Sequence, residues 1–163
     1  TASLRRLHMQ GRKVALKSVK ADAPLCEQQK IIVEAMLMAK LRHPFIVSLV
    51  GVCSLVSPFL IITELLEGGD LKNFLRKHKA TRSAGSSGDS IYVGSDDFLR
   101  MSLQICEAMA FLESKQVVHR DLAARNVLVS SDIQVVKLSD FGMVSALHCD
   151  CVIANLIYYK YDA

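Results

Sequence analysis

His119-Arg120-Asp121-Leu122-Ala123-Ala124-Arg125-Asn126, with Asp140-Phe141-Gly142 further along, decides how the rest of the chain is read. Between these two motifs lie two short β-rich runs, 127–129 and 135–138, separated by the polar turn Ser130-Ser131-Asp132. Two carboxylates and a carboxamide thus flank one hairpin. Magnesium takes hard oxygen ligands and commonly shares them with phosphate. Asp140 and Asn126 can supply such oxygens, which leaves Asp121 to accept a proton from a hydroxyl. The pattern suits chemistry on a magnesium-bound phosphate.

Immediately upstream, residues 97–114 read as a long helix capped by Ser95 or Asp96. Leu99, Leu103, Cys106 and Ala110 lie beside Met101, Ile105, Met109 and Leu112, so nearly every side is apolar and a central helix is expected. Residues 79–94 hold Gly85, Gly88, Gly94 and several Ser and read as a flexible loop. Before them, Gly68-Gly69 punctuates the chain, and Asp70 caps a short helix at 71–78. Runs 46–53 and 58–63 are strand-like. Residues 27–41 follow the breaker Asp22-Ala23-Pro24 and read as a helix ended by His43-Pro44. Its stripe Ile31, Glu34, Ala35, Met38 is apolar except for Glu34. Residues 13–20 read as a largely buried strand in which Lys17 is the odd residue. The order predicts an α+β chain: a small β-rich lobe with one helix, then a helical lobe, joined near 64–69. No internal repeat is visible.

Composition narrows the functional classes. The 163 residues are 51% hydrophobic and lack Trp, so the core rests on aliphatic side chains and Met. A net charge of +4 with no dense Lys/Arg stripe gives no nucleic-acid signature. No apolar run is long enough to span a bilayer, and residues 1–6 lack a signal-peptide core. Cys26, Cys53, Cys106, Cys149 and Cys151 are odd in number and scattered, which reads as reduced thiols in the cytosol. His148-Cys149-Asp150-Cys151 lacks a second ligand pair, and no metal is expected there.

The joint set Lys17, Glu34, Asp121, Asn126 and Asp140 resembles the protein kinase family, whose pattern is a strand Lys, a helix Glu, H-R-D-x-x-x-x-N and D-F-G. The likeness covers residues 11–143. Taken singly, Lys17 would be a solvated strand lysine, Glu34 a helix-face charge and Asp140 a turn residue before Gly142. Order and spacing together outweigh those plain readings.

The resemblance implies a bilobal kinase-like fold, with residues 1–66 a partial upper lobe and 67–163 the hinge and partial lower lobe. It implies ATP and Mg2+ as cofactors, Lys17 on the α/β-phosphates paired with Glu34, Asp121 as catalytic base, and Asn126 and Asp140 as metal ligands. Ala123-Ala124-Arg125 is similar to the tyrosine-kinase branch, in which Arg125 takes the cationic role beside the substrate hydroxyl. The partners implied are ATP and tyrosine-containing proteins. Thr63 resembles the gatekeeper, Glu64 to Leu66 the hinge that reads adenine through its backbone, and Ala15 and Leu128 the apolar plates around the base. Met38, Leu49, His119 and Phe141 resemble the stacked regulatory spine, which makes His119 a packed histidine and not a base. Tyr158 and Tyr159 resemble paired activation-loop phosphosites, whose added charge would pair with Arg120.

Three departures shape the expectations. No G-x-G-x-x-G precedes Val14, so that loop and the strands carrying it are expected to be lacking. No A-P-E follows, so the apolar helix at 97–114 is expected to stay partly uncovered. Met143 to Leu156 is long and oddly apolar for an activation loop. The expected function is ATP-dependent phosphoryl transfer to protein tyrosine by a longer kinase, the 163 residues alone being weakly active or inactive. The alternative is a non-catalytic, truncated kinase-like interaction module. The expected location is the cytoplasm or the cytoplasmic face of a membrane, with receptor and cytosolic parentage both open.

Overall fold

The computed structural model describes residues 3–9, 11–20, 22–55, 57–83 and 93–146. Its first element corrects the sequence reading: a strand does precede Val14. Strand β1 (Ser3–Met9) pairs antiparallel with β2 (Arg12–Ser18) from Ser3↔Ser18 to Met9↔Arg12. Arg5 and Arg6 break the alternation that would have announced it, and charged residues of this kind suit the edge position β1 occupies. The sheet continues through β4 (Leu60–Glu64) to β3 (Leu49–Cys53) in the order β1-β2-β4-β3, all antiparallel. Val14 and Ala15 of β2 and Ile61 of β4 are buried, as a two-sided strand requires. Val50 and Val52 on the other edge point outward. Helix α1 (Leu25–Lys40) buries Ile31, Glu34, Ala35 and Met38, the stripe that its periodicity marks.

The run expected to be one strand from Ile46 divides in two. Only β3 joins the upper sheet. Ahead of it, the Leu138 N–H donates to the Phe45 carbonyl at 2.8 Å, and the Val47 N–H donates to the Leu138 carbonyl at 3.0 Å. This stitches the upper sheet to a second, three-stranded one of order β5-β7-β8, formed by β5 (Gly69–Asp70), β7 (Val127–Val129) and β8 (Val136–Leu138). Gly68 closes the connection. Its N–H donates to the Val129 carbonyl at 2.9 Å, and a Cβ there would stand 2.7 Å from that same oxygen. Only glycine allows that approach.

Helix α2 (Leu71–Ser83) is capped by Asp70, whose Oδ1 accepts the Asn73 N–H at 2.9 Å. It runs further than expected, taking residues 79–83 from the stretch read as loop; Lys79-Ala80 are good helix formers. Helix α3 (Ser95–Ser114) begins earlier than read, with Gly94 as N-cap in place of Ser95 or Asp96. The Asp97 carboxylate accepts the Gly94 N–H at 2.9 Å and so does the capping from inside the helix. Met101, Gln104, Ala108 and Leu112 of α3 are buried, whereas Phe98, Leu99 and Leu103 are exposed. Among the described residues, α3 is therefore covered on one side and is not central all round. A short pair absent from the sequence reading, β6 (Val117–Val118) with β9 (Ser145–Ala146), lays the chain after Gly142 alongside the chain before His119. The core runs as one apolar cluster through both sheets, with Ile46, Ile61, Leu112, Val127, Val129, Val136, Leu138 and Phe141 at 2% exposure or less.

Candidate active site

Between the two sheets lies a cleft of about 440 Å3 lined from above by Ala15, Lys17, Glu34 and Thr63 and from below by Asn126, Leu128 and Asp140. Each is held there by a different element. Strand alternation turns Ala15 and Lys17 to the same face of β2. Helix α1 brings Glu34 to Lys17: Lys17 Nζ donates to Glu34 Oε1 at 2.7 Å and Oε2 at 2.9 Å. It also donates to Asp140 Oδ1 at 2.8 Å, so one ammonium joins sheet, helix and the Asp140-Phe141-Gly142 loop.

Charge settles the protonation of Lys17 and Asp140. Burial by itself would lower the Lys17 pKa, but the Glu34 charge and hydrogen bonds to Asp140 and Glu34 outweigh it and raise the value. For Asp140, burial pushes the other way from the net result. The hydrogen bond and charge of Lys17, helped by the Gly142 N–H, hold the carboxyl below its ordinary range. Lys17 is a cation and Asp140 an anion at neutral pH.

Asp121 is not among the residues that line the cleft and belongs to a second set tied to it through Arg125 and Asn126. Arg125 forms an ion pair with its Oδ1, and Asn126 Nδ2 donates to its Oδ2 and to its carbonyl, each at 2.8 Å. A 3₁₀ turn, Ala124–Asn126, sets Arg125 and Asn126 at the spacing these bonds need. Asn126 spends its Nδ2 on Asp121, which leaves Oδ1 as its remaining polar side-chain atom, an acceptor. The carboxylate of Asp121 is held from both sides while Asn126 and Arg125 also line the cleft.

His119 is 1% exposed and packs edge-on against Phe141, ring centroids 5.3 Å apart. Its Nδ1 accepts the Asp121 N–H at 3.3 Å, and Nε2 faces the Ser139 carbonyl at 3.1 Å. One nitrogen serves the backbone of the first motif and the other the residue just before the second. Met38 and Phe141 belong to the main core cluster, and Leu49 packs against it. Arg120 and Asp140 have φ of 66° and 62°, in the left-handed region that L-residues adopt at a cost of about 1–2 kcal/mol. Both strained positions directly flank the groups just described, where such strain tends to gather.

Glu64 to Leu66, read in the sequence as the hinge, do line the cleft. The contacts that hold Glu64 and the presence of Gly69 and Asp70 in the lining were not legible there. Glu64 lines the cleft, yet its carboxylate accepts from Lys137 Nζ at 2.8 and 2.9 Å and from the Ser48 N–H at 2.7 Å. The Glu64 N–H is taken by the Ser48 carbonyl at 3.1 Å. Leu65, Leu66, Gly69 and Asp70 complete the outer wall. Lys137 reads from the letters as one more strand lysine; only the fold sets it beneath Glu64. Tyr158, Tyr159 and the cluster at 148–151 lie outside the described residues. No helix among the described residues is long and apolar enough to cross a membrane.

Known proteins of similar sequence give this geometry its context. The profile of the protein tyrosine and serine/threonine kinase family matches residues 2–154. The cytoplasmic tyrosine-protein kinase BMX of Mus musculus is 45% identical over 130 residues, covering 80% of this chain and 18% of that protein. The tyrosine-protein kinase Fer of Mus musculus is 42% identical over 130 residues, 80% of this chain and 14% of that protein. The proto-oncogene tyrosine-protein kinase ROS of Gallus gallus is 40% identical over 141 residues, 83% of this chain and 6% of that protein. The chain thus spans less than a fifth of the length of these three relatives. With the match running through nearly every element described above, the chain belongs to the protein tyrosine and serine/threonine kinase family.

Proposed function

We propose that this chain supplies the nucleotide and phosphoryl-transfer site of a protein tyrosine kinase, with residues 1–66 as upper lobe and 67–163 as hinge and lower lobe. The observation that carries the reading is the single cleft in which Lys17, Glu34, Asn126 and Asp140 meet. Ala15 and Leu128, which both line it, are the proposed plates for a purine, and Thr63, also in the lining, is the proposed gatekeeper. The Glu64 N–H is engaged by Ser48 and the Leu66 carbonyl accepts the Gly69 N–H at 3.4 Å, so the Glu64 carbonyl and the Leu66 N–H are the groups assigned to adenine.

An ionised carboxylate and a carboxamide oxygen fit a hard divalent cation, so Asp140 and Asn126 would hold Mg2+. When bound, that ion would neutralise charge on the phosphate oxygens. Lys17, oriented by Glu34, is the protein's own cation for the phosphates. Asp121, fixed between Arg125 and Asn126, accepts the hydroxyl proton of a tyrosine as its oxygen bonds to the γ-phosphorus. The bond from that phosphorus to the β–γ bridging oxygen breaks, and ADP leaves. Arg125 next to Asp121 places a positive charge where the phenolic oxygen would lie. Tyr158 and Tyr159 are proposed as phosphosites. The names of the relatives include a cytoplasmic kinase, which supports the cytoplasm or the cytoplasmic face of a membrane as the site of action.

The 163-residue polypeptide contains no G-x-G-x-x-G. Phosphate positioning carries most of this chemistry, so the free polypeptide is expected to bind Mg-ATP yet transfer phosphate poorly, acting by itself more as a binding module than an enzyme. Thermal unfolding with Mg-ATP tests the site: saturation at a hundredfold over Kd should stabilise the fold by about 2.7 kcal/mol. Asp140→Asn and Lys17→Met should remove that increment. No stabilisation of the wild-type chain would overturn the nucleotide reading, and rapid phosphorylation of a tyrosine peptide by it would overturn the expected low activity.

A further inference from the structure

The strand that delivers Asp140 has two edges, and the outer one is satisfied in an unusual way. On its inner edge β8 bonds to β7, and just past its end the Ser139 N–H and Oγ both donate to the Asn126 carbonyl, at 2.8 and 2.9 Å. On the outer edge, Leu138 exchanges bonds with Phe45 and Val47. At Val136 no strand among the described residues lies on that side. Instead the carboxamide of Gln104, from helix α3, accepts the Val136 N–H at 2.8 Å and donates to the Gln134 carbonyl at 2.9 Å. A primary amide is a side chain that offers donor and acceptor together, so Gln104 stands in for the peptide group of a missing strand.

Gln104 is 9% exposed and shares the buried face of α3 with Met101, Ala108 and Leu112. A Leu or Met would fill the same space without the cost of desolvating an amide. What the amide adds is position along the strand axis, because a doubly bonded peptide group cannot slide. Asp140 lies four residues beyond Val136, about 13 Å along an extended chain. Asn126 is tied to the same rail through Ser139. We infer that Gln104 is a positioning residue for the oxygen pair of Asn126 and Asp140, acting through β8, and that it thereby sets the affinity of the nucleotide site for Mg2+. The inference rests on the reading of those two residues as metal ligands.

The test uses the whole 163-residue chain, with ATP and MgCl2 as probes. The Mg2+ concentration giving half-maximal thermal stabilisation at saturating ATP is measured for wild type, Gln104→Met and Gln104→Glu, beside ATP binding in EDTA. Gln104→Met should melt cooperatively and need about tenfold more Mg2+, the scale on which groups behind metal ligands act. Its metal-free ATP binding should be unchanged. Gln104→Glu keeps an acceptor for the Val136 N–H, so its shift should be smaller. An unchanged Mg2+ midpoint in Gln104→Met would overturn the inference alone, as would an equal loss of metal-free binding, which marks a merely structural role. Loss of cooperative melting in both variants would do the same. A wild-type chain indifferent to Mg2+ would overturn the metal reading and this inference with it.

Discussion

Lys17 holds two carboxylates at once, and the two differ in what they need from it. Glu34 is 7% exposed, so without a cation it would be a buried, unpaired charge. Lys17→Met is therefore expected to lower stability by about 2–3 kcal/mol, somewhat under the ~3–5 typical of fully buried pairs because Lys17 retains some solvent. Adding Glu34→Leu should recover most of that loss while nucleotide binding stays absent, as denaturant titration beside ATP binding would show. Asp140 is half-exposed, and its dependence on Lys17 is better read through pH. Its carboxyl is held below the ordinary 3.8, so its contribution is complete above that pH and drains away as pH falls through the lower folded value. Lys17 is raised above 10.5, so its contribution is complete below that pH and is lost as pH rises through the higher folded value. The stability difference between wild type and Asp140→Asn should hence be flat from about pH 5 to pH 9 and narrow in acid. The letters Lys17, Glu34 and Asp140 were each legible in advance. That one ammonium would touch both acids was not, because it requires β2, α1 and the end of β8 to converge.

Helix α3 illustrates what local rules do and do not settle. Its existence follows from a long run of helix formers, and its close follows from its backbone. After the C-cap Lys115, Gln116 takes φ 56° and donates its N–H to the Glu113 carbonyl at 2.8 Å. This is the left-handed position where helices commonly place glycine. Gln116 is exposed and no packing would be lost, so Gln116→Gly is expected to stabilise the protein by about 1 kcal/mol. Thermal or urea unfolding of the single variant measures it; a destabilisation would mean that the Gln side chain contributes contacts there. The covered face of α3 was harder to foresee. Met101, Leu112, Leu99 and Leu103 are equally apolar, and only the arrival of β6 and β8 separates the buried pair from the exposed one. Gln104, the polar residue on the buried face, completes the edge of a strand in three dimensions.

Across the molecule, the cleft exists because the upper sheet and the lower hairpin are fastened at several points. Phe45 and Val47 bond to Leu138, Glu64 is gripped by Lys137, and Gly68 lies against Val129. Away from this seam, α3 presents Phe98, Leu99 and Leu103 at 48%, 62% and 55% exposure. Apolar side chains grouped in this way promote association between chains. In the 163-residue polypeptide, Leu103→Glu is expected to change stability by no more than about 0.5 kcal/mol and to reduce self-association. Light scattering over a concentration series, paired with a melt, checks both halves.

What the amino-acid order determined by itself was the succession of strands and helices, the placing of Lys17, Glu34, Asp121, Asn126 and Asp140, and the family likeness they carry. These are readable because period, capping and motif spacing are properties of neighbours along the chain. Strand β1, the split fate of 45–53, the clamp on Glu64 and the bidentate use of Gln104 were decided by the tertiary structure. Each depends on which partner a donor or acceptor meets, and a main-chain N–H or a carboxamide bonds equally well to many partners until the fold brings one of them within 3 Å.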